Sequence, residues 1–145
     1  MDESAYRSAR GGINRLPCVF EKALLLRCAA CTLAQTHALA ERETLACTEA
    51  AAHDACREFY KRLREKSLFA LKLAAAPERI PHALETKLQC GGLSGLYGLQ
   101  EEPGKPLDVH RLLATADVAE LPYSRIIQGV AAWQGRKRAK PGEDA

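Results

Sequence analysis

The stretch PCVFEKALLLRCAACTLAQTHALAER, residues 17–42, decides how the chain is read. After Pro17 it holds no proline or glycine, and strong helix formers, alanine and leucine, dominate it. Pro17 suits the first turn of a helix, where its missing N–H costs nothing. The composition predicts one long helix from Pro17 to about Arg42. That helix would also set the first thiols. Cys28-Ala29-Ala30-Cys31 is a C-x2-C pair, and a spacing of three puts both sulfurs on one helix face.

Working outward, a second long helix is expected from about Glu49 to Ala75. Thr48 is its expected N-cap, and Glu49 and Asp54 put negative charge near its positive end. Cys56, Phe59, Leu63, Ala70 and Leu73 recur at helical spacing on one face. Pro77 and Pro81 end this element. A short third helix is expected over His82–Gln89. The run from Cys90 to Leu99 contains Gly91, Gly92, Gly95 and Gly98, which argues for a packed loop. Residues 101–106 read as a connector. Two short helices, about Asp108–Ala116 and Pro122–Gln134, complete the chain, with Asp117 and Ser124 as local caps. Strand-like alternation is nearly absent. The expected fold class is all-α: a small helical bundle with two long N-terminal helices, a Gly-rich loop and two short C-terminal helices. Residues 1–16 read as a flexible leader, 17–135 as one helical domain and 136–145 as a flexible tail.

The chain has 145 residues, 47% of them apolar and 27% charged, a globular balance. No apolar run approaches the roughly 20 residues that span a bilayer. The charged start, Met1 to Arg10, has no apolar core of a secretory signal, so a cytoplasmic location is expected. A net charge of +3 makes no strong case for nucleic acid. Arg136, Lys137, Arg138 and Lys140 are a weak candidate for phosphate contact.

Cysteine is what departs from the average. Six are present, and four of them, Cys28, Cys31, Cys47 and Cys56, fall within 29 residues as C-x2-C-x15-C-x8-C. Four thiolates are the set that a tetrahedral zinc ion or a 4Fe–4S cubane cluster asks for. The spacing matches neither a zinc ribbon nor a ferredoxin. An antiparallel helical pair centred near Arg42 would face Cys28 with Cys56, Cys31 with His53 and His37 with Cys47. Taking Thr48 as the true cap moves the centre to about residue 45 and favours Cys47 over His53 as fourth ligand. His53 and Cys90 stand as further cofactor-binding candidates, Cys90 because it opens the Gly-rich run. Cys18 reads as packing, and His37, His82 and His110 as surface or capping residues.

These residues predict a small iron–sulfur protein acting in electron transfer, redox sensing or cluster handling, with a protein partner and with zinc as the alternative metal. A helical interaction or DNA-associated module with structural thiols is the second expectation, since residues 112–130 can be drawn as a helix-turn-helix. A dithiol oxidoreductase using Cys28 and Cys31 is the third, weakened because no βαβ context surrounds the pair. Gly92-x2-Gly95-x2-Gly98 lacks the order and ending of a nucleotide loop.

Overall fold

The stretch 17–42 does not stay helical. In the computed structural model, which describes residues 16–39, 42–75, 77–100 and 107–134, its helix α1 is Glu21–Leu25 alone. Arg27 adopts φ 61°, the left-handed region. The Cys28 N–H then donates to the Ala23 carbonyl (2.9 Å) and the Arg27 N–H to the Leu24 carbonyl (3.0 Å). This is a Schellman stop, and it is built without the glycine that usually marks one. A non-glycine residue there carries strain. Arg27→Gly is therefore expected to stabilise the protein by up to about 1 kcal/mol, read from urea midpoints.

Beyond the stop the chain turns extended. Strand β1, Ala34–Leu39, pairs antiparallel with β2, Arg42–Cys47, in the register Ala34↔Cys47 to Leu39↔Arg42. The chain thus reverses between two strands, from Leu39 to Arg42, and not between two helices. His37 lies across from Thr44 rather than Cys47. A further extended piece, residues 16–18, pairs with the far side of β2. The Cys18 N–H donates to the Leu45 carbonyl (2.9 Å), and the Cys47 N–H to the Leu16 carbonyl (2.8 Å). The Glu21 carboxylate accepts from the Thr44 hydroxyl and the Leu45 N–H, both 3.0 Å, and so pins α1 to β2. The all-α expectation is corrected: the described residues form a mixed helical and β structure.

Helix α2 is Ala50–Lys66. Thr48 does not cap it, since its hydroxyl donates to the Leu33 carbonyl (2.8 Å) and Glu49 stands at the cap position. The helix stops at Ser67, well before Ala75. A turn over residues 67–73 follows, with Lys72 at φ 59° and a second 6→1 bond from the Leu73 N–H to the Leu68 carbonyl (2.9 Å).

Helix α3, His82–Tyr97, runs straight through the Gly-rich run read as a loop. Two of those glycines, Gly91 and Gly95, lie against helix α5, Tyr123–Ala132, while Gly92 lies against Leu63 of α2. A Cβ at Gly95 would lie 2.3 Å from the Ile126 carbonyl oxygen, and one at Gly91 2.7 Å from Val130 Cα. One at Gly129 would lie 2.6 Å from the Gly91 carbonyl oxygen. Backbones this close need hydrogen as the side chain. Between them in sequence stand α4, Val109–Ala114, and a 3-10 turn, Val118–Glu120. Asp108 caps α4 through the His110 N–H (3.1 Å), whereas Asp117 makes no side-chain cap and Pro122, not Ser124, precedes α5.

The core is continuous from α1 to α5. Phe20, Phe59, Leu63, Leu88, Leu93, Ile126 and Val130 are fully buried, each worth roughly 1.5–3 kcal/mol of transfer free energy. Phe20 packs on Phe59 (5.8 Å) and edge-on to Tyr60 (6.0 Å), and Phe59 stacks on Tyr123 (6.0 Å). One polar chain in this core is fully paired, whereas the buried Ser67 and Thr86 hydroxyls have no hydrogen-bond partner among the described residues. The Tyr60 hydroxyl donates to Glu85, which accepts from Gln89 Nε2 (2.8 Å), and Gln89 Oε1 accepts the Ala23 N–H (3.1 Å). The leader up to residue 15, the connector at 101–106 and the basic tail at 136–145 lie outside the described residues. No helix among those described is long and apolar enough to cross a membrane.

Candidate functional site

Four elements converge on one small cavity between α1, β2 and α2. Cys18 arrives on the extended piece paired with β2. Cys31 comes from the loop after the Schellman stop. That loop is fastened by the Ala30 N–H to the Leu107 carbonyl (3.1 Å), the Val109 N–H to the Ala30 carbonyl (2.9 Å), and the Thr32 N–H to Asp108 Oδ1 (3.2 Å). Cys47 ends β2, and Cys56 lies in the second turn of α2. All four thiols line the cavity together with His53, and the rest of the wall is aliphatic or aromatic. Its free volume is about 20 Å³.

The expected set is therefore rearranged by one member. Cys31, Cys47 and Cys56 are brought together, but Cys28 is not with them. Cys28 sits past the Schellman stop, where the chain is no longer a helix; it shares an open surface pocket with Cys31 but does not line the cavity. Its partner is Cys90, to which it is hydrogen-bonded from across the core. Cys18, read as packing, takes the fourth place. Cys90 lies inside helix α3 and belongs to the Cys28 pair. All six thiols are free.

His53 is buried and turns Nε2 to the Pro17 carbonyl (2.9 Å). A carbonyl only accepts, so Nε2 carries a proton, and in the neutral ring Nδ1 is then the nitrogen with the lone pair. Anchoring one imidazole nitrogen on a backbone carbonyl is how proteins orient a ligating histidine. The same bond ties the start of α2 to the segment that carries Cys18. The Cys47 thiol donates to the Glu49 carbonyl (3.2 Å).

Burial dominates the thiol electrostatics. It pushes Cys18 up to about 11, with Cys31, Glu21 and Cys47 adding to the rise and a hydrogen bond from the Phe20 backbone opposing it. Burial pushes Cys56 up to about 12, and nearby Cys31, Cys18 and Cys47 raise it further. Cys90 is held above the ordinary thiol range by burial and then by Cys28. Without metal these thiols are neutral at pH 7, and a metal must displace their protons.

Above pH 9 the unfolded chain has released thiol protons that the folded chain still holds. The contribution of the neutral thiols is full below the ordinary thiol value and is lost as pH rises toward 11–12. Burial of Tyr60 and Tyr123 acts in the same direction. We expect metal-free protein to lose roughly 1–3 kcal/mol between pH 8 and about 10.5 in urea titrations, and Cys56→Ala to flatten that slope. A profile flat to pH 10.5 would contradict burial of these thiols.

Among the described residues no group of three or more Cys, His, Asp or Glu side chains is already set to hold a metal ion. Cys31 and Cys47 raise both Cys18 and Cys56, which places the four thiols in one neighbourhood. The sequence signal for Cys18 was slight: Leu16-Pro17-Cys18 precedes the first helix with no alternation to mark it as extended. A scan against protein-family models finds no match, and searches of curated proteins and of solved structures find none either.

Proposed function

We propose that this chain is an iron–sulfur protein whose ligands are Cys18, Cys31, Cys47 and Cys56. The observation that carries the reading is the convergence of four thiols from four separate chain segments on one apolar cavity. Sulfur donors without a carboxylate in the wall select soft metals and clusters over magnesium or calcium. A lone zinc ion needs all four sulfurs about 2.3 Å from one point, hence roughly 4 Å from each other. A cluster brings its own iron and sulfide between the thiolates and does not ask the sulfurs to come that close. When bound, such a cluster supplies one-electron transfer. The chain's part is to shield the site with Val19, Phe20, Leu24 and Val109 and to hold the ligands on four separately fastened segments. His53 Nδ1 is available as a fifth donor or as a hydrogen-bond acceptor at the rim. Six free thiols suit a reducing compartment such as the cytoplasm.

A structural zinc ion is the second reading, favoured by the free volume of only about 20 Å³. Iron, sulfide and zinc analysis of protein purified without oxygen separates the two. Iron with acid-labile sulfide and visible charge-transfer absorption is the expected result. One zinc per chain without iron would replace the cluster by zinc, and a folded protein with neither would overturn both readings.

A further inference from the structure

A second surface lies at the C-terminal end of α2 and the turn after it, beside α3 and α5. Phe69 is 96% exposed at the turn after α2. Burying a phenylalanine is worth about 1.5–3 kcal/mol, and here that contribution is unrealised. The ring borders an open groove of about 990 Å³. Leu73 from the turn, Ile127 from α5 and three alanines give it an apolar lining. Lys66, Lys72 and Lys87 bring positive charge from α2, the turn and α3, and no carboxylate lines it among the described residues. The Schellman bond at Lys72 fixes the turn that presents Phe69.

We propose that this groove docks an acidic, amphipathic segment of a partner protein. Its apolar residues would cover Phe69, Leu73 and Ile127, and its carboxylates would meet the three lysines. An alanine-rich wall lets a helix come close, the usual arrangement when an amphipathic helix lies in a groove. The aliphatic lining favours protein over nucleic acid, whose bases would need stacking partners beyond one ring. A concave surface favours a segment that enters it over a flat lipid headgroup layer. The lysines steer encounter and Phe69 anchors the complex. Neither role requires a metal at the thiol site.

The test uses the full chain and a labelled synthetic peptide, glutamate-rich with leucine at helical spacing, followed by fluorescence anisotropy. The expected result is saturable binding that weakens with salt and is absent for the same peptide with lysine in place of glutamate. Phe69→Ala should weaken it at least about tenfold, as truncating an interface anchor does. It should leave the fold untouched, since the ring makes almost no internal contact. Reversing Lys72 and Lys87 together to glutamate should weaken binding by a similar factor and remove the salt dependence. Backbone amide shifts on peptide addition should concentrate at residues 66–74 and 124–131. No saturable binding, equal binding by Phe69→Ala, or shifts elsewhere would overturn the proposal. So would binding to phosphatidylserine vesicles or a uridine oligonucleotide in place of the peptide.

Discussion

Gly95→Ala should remove at least about 3 kcal/mol of stability, at the upper end of what overpacking costs, whereas Gly98→Ala should cost nothing. Both glycines belong to the same run and the same end of α3. At Gly95 the added methyl would meet the Ile126 carbonyl oxygen at 2.3 Å and its Cα at 3.0 Å. These are backbone atoms of α5 and cannot rotate away. Helices α3 and α5 would have to separate. Ile126 and Val130, both fully buried, would lose their seats with them. A domain whose total stability is about 5–15 kcal/mol loses a large share in one step. At Gly98 the nearest atoms are 3.5 Å away and φ is −64°, which alanine adopts freely. There alanine lowers the entropy of the unfolded chain and should be neutral or stabilising by about 0.4–1 kcal/mol. Thermal melts followed by circular dichroism compare the two directly. Equal melting temperatures would mean that the glycines are incidental and α3 and α5 do not pack backbone to backbone.

This contrast explains why part of the fold was legible and part was not. Where local chemistry and tertiary packing agree, the sequence speaks for itself. Asp108 caps α4 as its side chain invites, and the Cys56, Phe59, Leu63 spacing does lie on a helix. Where packing overrides propensity, it misleads. Glycine lowers helix propensity by about 1 kcal/mol per residue, yet α3 keeps Gly91 and Gly95 because α5 rewards the close approach, and Gly92 because Leu63 of α2 fills the space a Cβ would need. In the other direction, residues 34–47 are rich in helix-forming alanine, leucine, glutamate and arginine, yet they pair as a hairpin. Thr44, Leu45 and Ala46 are all buried there, so β2 shows no alternation to read. The decisive break was at Arg27, a left-handed stop in a residue that gives no warning of one. Past that stop Cys28 is no longer helical and does not line the cavity, whereas Cys18 does.

Exchanging those two cysteines is therefore the sharpest test of the site. Cys18→Ser should lose bound metal, and Cys28→Ser should retain it. The ring of ligands proposed above runs through Cys18, Cys31, Cys47 and Cys56, so serine at any of these leaves three thiolates. Serine is a poor ligand for soft metals, and binding free energy shared with folding falls with it. Cys18→Ser should leave the backbone pairing of residues 16–18 with β2 in place, because those bonds come from N–H and carbonyl groups. Loss of metal with a retained circular dichroism spectrum then reports ligation and not unfolding. Cys28 and Cys90 neighbour one another, and neither lines the cavity. Cys90→Ser should bury a hydroxyl with only Cys28 as partner and cost roughly 1–3 kcal/mol, while metal content stays at the wild-type level. Metal analysis and a denaturation curve on each variant give a two-way classification of the six thiols. If Cys28→Ser empties the site and Cys18→Ser does not, the ligands follow the linear spacing and the proposed ring is wrong. If no single serine changes metal content, the thiols are core packing and the cavity holds nothing.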